Sequence, residues 1–158
     1  MKYAKAMNRS IKLLASSKKL GDGYTALVAP VLVSPEHPLY AVNGVYNAIL
    51  VHGNALGDTM FYGSGAGKLP TASAVAADIV EMAINLDKNI PVEWKKEKLQ
   101  LEDYKKLESR FFIRTGAEKT EIERVFGNVA YVTAEGVTGE IGFVTGKMTE
   151  AACGEKEG

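Results

Sequence analysis

Cysteine occurs once, at Cys153, so the chain cannot close a disulfide on itself and reads as the product of a reducing compartment. Neither sign of charge is in excess: 19 Lys and Arg balance 19 Asp and Glu. No basic field points to nucleic acid or to an anionic membrane, and neither is expected as a partner. No apolar run comes near the ~20 residues a membrane helix needs. Residues 1–19 lack the uninterrupted apolar core of a secretory signal, which completes the expectation of a cytoplasmic protein. Histidine appears twice, at His37 in a Pro-flanked turn and at His52 in an apolar strand, without metal-ligand spacing, and neither reads as a ligand. Cys153 lies in a polar tail with no histidine nearby and reads as an incidental surface thiol.

Glycine, by contrast, is abundant, and its densest use is the stretch FYGSGAGKLPTASAVAADIV at residues 61–80. Gly63, Gly65 and Gly67 follow a short strand and precede an Ala-rich helix whose expected first residue is Pro70. Bare glycine backbone lets another group come close, and a helix N-terminus offers N–H groups to an anion. The spacing is G-x-G-x-G, so it is not the dinucleotide fingerprint G-x-G-x-x-G, and Lys68 is followed by Leu69 rather than the Ser or Thr of a P-loop. Local chemistry alone favours a tight packing turn over a nucleotide cradle.

The remainder reads as an α+β chain. Residues 3–7 suit a short helix, and residues 16–34 suit two strands around Gly21-Asp22-Gly23. The second strand is apolar on both faces, which predicts cover on both sides, and Pro30 must then sit at an edge or a bulge. A second hairpin follows with Gly53–Gly57 as its turn. Asn43 and Asn47 interrupt it, either by bonding backbone at a bulge, the favoured reading, or by facing a ligand. The helix over residues 70–85 is apolar nearly all round, which predicts burial against a sheet, with Thr71 and Ser73 capping its start and Lys88 near its end. Residues 91–108 are charge-mixed and read as a partly helical linker. Residues 109–115, 120–126, 128–133, 139–145 and 149–157 then read as strand, helix, strand, strand and a frail helix, with Gly127 closing the middle helix. This β-α-β-β-(α) order lacks one final strand of an α/β sandwich.

Three stretches carry a resemblance: His37-Pro38-Leu39, Asn43-Gly44-Val45-Tyr46-Asn47-Ala48, and Tyr62 through Val75. Together they are similar to the HPL, V-x-G-V-x-N-A and Y-G-x-G-A-G-x-x-P-T-A-S-A-V motifs of homoserine dehydrogenases. YAKAMNRSIKLLA and VAPVLVSP fit the helix and strands that precede those motifs in the family, so the resemblance runs over residues 1 to about 85. It implies an NAD- or NADP-dependent oxidoreductase that interconverts aspartate 4-semialdehyde and homoserine in threonine, methionine and isoleucine synthesis. It also implies a homodimer or higher homo-oligomer built through the sheet.

By the same resemblance, residues 1–90 form the C-terminal part of the catalytic and dimerisation domain, 91–108 a linker, and 109–158 an incomplete ACT-like (ferredoxin-like) regulatory segment. The turn TGAEKTE departs from the acidic-x-x-Gly start of effector-binding ACT domains. The family's nucleotide-binding domain and its D-x-x-x-K segment have no counterpart here. Lys5, Lys12, Lys18 and Lys19 do not stand in that motif, so no catalytic residue is assigned and this polypeptide alone is expected to be inactive. What carries over is one flank of the cofactor site: Gly63, Gly65, Ala66 and Gly67, with Thr71. The alternative is a stand-alone amino-acid-binding or dimerisation module without catalysis.

Overall fold

The computed structural model describes residues 1–89 and 92–157; the expected boundary between the first segment and the linker, at 90/91, and Gly158 lie outside the described residues. By spatial contact the chain parts into two compact units, one holding Met1–Ser34 together with residues 99–157, the other Pro35–Lys98.

In the first unit a short helix, α1 (Lys2–Ala6), leads into a long hairpin of β1 (Ser10–Leu20) and β2 (Gly23–Val33). The first strand starts well before the hairpin turn, because residues 11–15 pair with β2 rather than prolonging the helix. Leu20 pairs with Gly23, and Gly21 at φ 60° supplies the left-handed conformation that a two-residue hairpin turn demands. Pro30 stands opposite Leu13 in an unbulged ladder. Among the described residues β2 has no second strand partner, so the missing N–H points off the sheet edge. Within this chain only one face of the hairpin is covered. Thr25 and Val33 are buried on one face, whereas Leu13 (73%) and Val28 (66%) stand exposed on the other.

The stretch after residue 98 is more ordered than the linker expectation allowed. Tyr24 N–H donates to Gln100 O at 2.9 Å and Glu102 N–H donates to Tyr24 O at 2.8 Å, a short parallel bridge to the start of β2. A Cβ on Gly23 would meet Gln100 O at 2.8 Å, so only glycine admits that pairing. Asp103 then caps a single 3-10 turn, Tyr104–Lys106, by accepting from Lys105 N–H at 2.9 Å.

Beyond it run β5 (Glu108–Ser109), β6 (Phe112–Thr115), α3 (Lys119–Phe126), β7 (Ala130–Val132), β8 (Ile141–Val144), β9 (Met148–Thr149) and α4 (Glu150–Glu157). β8 lies between β6 and β7, antiparallel to both, and β9 pairs with β5. The helix α3 forms where Ile122, Val125 and Phe126 share an apolar stripe. It ends at Gly127, whose φ of 74° is open to glycine but costly to other residues. Phe143 is fully buried and packs at 5.2 Å from the Phe126 ring and 6.5 Å from Tyr131. Truncating such a residue costs roughly 3–5 kcal/mol. Cys153 is buried, which corrects the surface reading: α4 lays it inward despite its polar neighbours in sequence.

In the second unit His37 Nδ1 accepts from Leu39 N–H at 3.1 Å and opens a 3-10 turn, Pro38–Ala41. The hairpin of β3 (Tyr46–Gly53) and β4 (Gly57–Ser64) follows, paired one to one throughout. The bulge proposed for Asn47 is therefore absent; Asn47 pairs with Gly63 in regular register. The helix α2 (Lys68–Ile84) departs furthest from expectation. It contains no buried residue, and Val75, Ile79 and Met82 are more than half exposed. An apolar helix was expected against a sheet, and the second unit does not supply that cover. Its end is capped by Asn85, whose amide donates to Glu81 O at 2.9 Å, rather than by a basic side chain.

Candidate functional site: the glycine turn

The turn is aimed by the β3–β4 ladder. Gly65 N–H donates to Val45 O at 3.4 Å, extending the pairing one step past Ser64 before the chain turns into α2. The helix starts at Lys68, so Pro70 occupies its third position rather than its first. Proline is tolerated there because the first four N–H groups have no intrahelical partner anyway. The N-cap is Gly67, at φ 118°, and no side chain caps the end, so the capping role expected of Thr71 and Ser73 is not taken up. Thr71 instead contributes backbone: its N–H donates to Gly67 O at 3.2 Å, the first bond of the helix.

The three glycines stand in three different settings. Gly67 needs its positive φ. At Gly65 a Cβ would land on the side-chain amide of Asn47, with Asn47 Cγ at 3.0 Å, so a larger residue there requires the exposed Asn47 side chain to swing aside. Gly63 needs neither: its φ is not positive, and a Cβ would meet nothing within 4 Å. Its bare backbone is left open toward solvent beside Ala66, which is also exposed.

Residues 63–67 carry no ionisable side chain, and Lys68 is the first charge on the helix. The uncapped N–H groups at the start of α2, together with the Lys68 ammonium on its first residue, provide the local positive potential. Next to the turn, the rings of Tyr46 and Tyr62 stack across the two strands at 5.0 Å and 18°. Neither that stack nor the contact between Asn47 and Gly65 follows from the sequence by spacing. Both depend on the strand register, and the alternation around each residue was the only available hint. Far along the hairpin, His52 Nδ1 lies 2.6 Å from Asp58 Oδ1 on its cross-strand partner, an exposed pair remote from the turn. Among the described residues, no cluster of three His, Cys, Asp or Glu side chains is arranged to hold a metal.

Residues expected to flank a cofactor are therefore contiguous here: Gly63, Gly65, Ala66 and Gly67 form the turn, and Thr71 sits one helical turn in. Their chemistry fits an edge that touches a ligand through backbone N–H groups and close approach. Side chains suited to proton transfer are not part of it.

Comparison with known proteins agrees with the motifs. The homoserine dehydrogenase family model matches residues 1–80, just over half of the chain. The homoserine dehydrogenase of Neisseria gonorrhoeae is 46% identical over 83 residues, 52% of this chain and 19% of that protein. That of Mycobacterium tuberculosis H37Rv is 35% identical over 176 aligned positions, 96% of this chain and 40% of its own length. The crystal structure of a homoserine dehydrogenase from Thiobacillus denitrificans shares the fold, with a TM-score of 0.77 at 24% identity over 98% of this chain and 39% of that one. The chain thus spans at most about 40% of the relatives it matches here. It belongs to the homoserine dehydrogenase family.

Proposed function

We propose that this chain supplies the C-terminal part of an NAD- or NADP-dependent homoserine dehydrogenase, which interconverts homoserine and aspartate 4-semialdehyde in a cytoplasmic setting. The observation that carries the reading is Gly63. Neither its backbone angle nor any neighbour within the chain calls for glycine, and its bare backbone, inside the family motif, leaves room for a group from outside this unit. The nicotinamide ring, when bound, accepts or gives the hydride. Gly63, Gly65, Ala66 and Gly67 would border that cofactor through backbone, and Thr71 would fix the start of α2 behind them. In the intact enzyme, Gly65→Val is expected to raise the KM for the nicotinamide cofactor by about tenfold or more, with the KM for homoserine much less affected. An unchanged cofactor KM would remove the turn from the cofactor site. The 158-residue chain alone should show no turnover of homoserine with NAD or NADP, since no residue in it is assigned to catalysis.

The open faces of the two hairpins support a homodimer or higher homo-oligomer. A second reading concerns residues 109–157. The order β6-β8-β7 with every neighbour antiparallel is that of the first three strands of a ferredoxin-like sandwich, and it favours an ACT-like regulatory segment. Titration calorimetry of the chain with threonine, methionine, lysine and isoleucine tests it. Saturable heat that disappears when residues 109–158 are deleted supports amino-acid sensing, and flat titrations with all four reject it.

A further inference from the structure

The contact between Asn47 and Gly65 joins two stretches that the family motifs treat separately. Asn47 stands opposite Gly63 in the ladder and is the diagonal neighbour of Gly65, which continues β4 by bonding Val45 O. Diagonal neighbours on one face of an antiparallel pair lie close enough for a side chain to reach across. Here the reach is complete: the Asn47 carboxamide fills the volume that a side chain on residue 65 would take. The Asn47 side chain and the missing side chain of Gly65 therefore form one complementary pair.

We propose that Asn47 is a positioning residue for the glycine turn. Its carboxamide props the backbone from Gly63 to Gly67 from one face and so sets the path by which the chain enters α2. An Ala or Gly at position 47 removes the side chain that stands against Gly65 and leaves that face of the exposed turn, where every second residue is glycine, free to shift. A branched residue at position 47 would fill the volume with the wrong shape. Asn and Asp share the shape that matches. This role rests on the reading of the turn as a cofactor flank, but the steric pairing itself does not.

The test is an exchange of volume between the two positions. Four variants are compared: Asn47→Gly, Asn47→Asp, Gly65→Ala, and the double variant Asn47→Gly with Gly65→Ala. In this chain, 1H–15N spectra should show the amides of Gly63, Gly65 and Gly67 displaced by Asn47→Gly and by Gly65→Ala. They should stay near wild type in Asn47→Asp and return toward it in the double variant. In the intact dehydrogenase, Asn47→Gly should raise the cofactor KM by about three- to tenfold with kcat within about twofold, and the double variant should recover part of the loss caused by Gly65→Ala. Glycine amides unmoved by Asn47→Gly, or a double variant no better than Gly65→Ala in the spectra, would overturn the pairing. Spectra that behave as expected alongside an unchanged cofactor KM in all four variants would leave the pairing standing and overturn the cofactor reading of the turn.

Discussion

At the scale of single residues, the chemistry outside the turn is carried by a few exposed polar contacts. Tyr131 Oη lies 3.1 Å from Glu123 Oε1, and Lys119 Nζ sits 5.0 Å above its ring. Partial burial, then the hydrogen bond and charge of Glu123, push the phenol above its ordinary value of 10.0. The folded state therefore prefers the neutral phenol. Its contribution to stability is complete below the ordinary value and is lost as pH rises through the raised one. Lys106, raised by its hydrogen bond to Glu102 at 2.7 Å, weakens in the same alkaline direction. Following the Tyr131 ring protons by NMR titration, Glu123→Gln should move the midpoint down toward the ordinary value; a midpoint that does not move would exclude Glu123 as a cause. None of this was visible in the sequence, where Glu123 and Tyr131 stand eight positions apart on different elements. The glycines were visible, but the separate settings of Gly63, Gly65 and Gly67 were not, and that of Gly65 depends on a cross-strand neighbour, Asn47, that the register supplies.

Among the elements, α1 shows how firmly the two ends of the chain are joined within the first unit. Tyr3 packs at 5.1 Å from the Phe112 ring of β6 and over Gly142 of β8. A Cβ on Gly142 would meet Tyr3 Cζ at 2.8 Å and Cδ1 at 2.9 Å, and Tyr3 is buried, with little freedom to yield. Overpacking of this kind costs about 1–3 kcal/mol. Gly142→Ala should lower the urea midpoint accordingly, and combining it with Tyr3→Ala should cost less than the sum of the two single changes. Strictly additive losses would show that the ring and the glycine do not share that space. Lys2 Nζ adds a bond to Gly136 O at 2.6 Å from the same short helix. The helix itself was legible from residues 3–7, yet its partner more than a hundred residues away was not. Conversely, α2 was legible as a helix from its Ala-rich run, and its expected burial is not supplied within this chain. Periodicity says which residues avoid water, and it cannot say whether the cover comes from the same chain.

For the whole molecule, the exposed apolar surface is the main feature still to be accounted for. On one face of β3–β4, Ile49 (67%) and Phe61 (63%) are cross-strand partners open to solvent, with Val51 beside them. Burying such side chains is worth about 1.5–3 kcal/mol each, so a face of this kind favours association. Sedimentation velocity should show the chain self-associating as its concentration rises. The paired change Ile49→Lys with Phe61→Lys should shift it toward monomer without altering its circular dichroism. A monomer at every concentration in the unchanged protein would defeat the dimer reading of this hairpin.

Local rules were enough for what neighbours in the chain decide: both hairpins, the positions of α2 and α3, the Gly127 terminus, and the family, whose motifs are runs of adjacent residues. Tertiary structure decided the rest. It joined residues 99–157 to Met1–Ser34 through the Tyr24 bridge and Tyr3, turned Cys153 inward, left α2 uncovered, and set Asn47 against Gly65. The physical reason is the same in each case. Hydrogen-bonding geometry and turn conformation are settled within a few residues, whereas burial and steric fit depend on which distant surface arrives, and that surface leaves no mark on the local pattern.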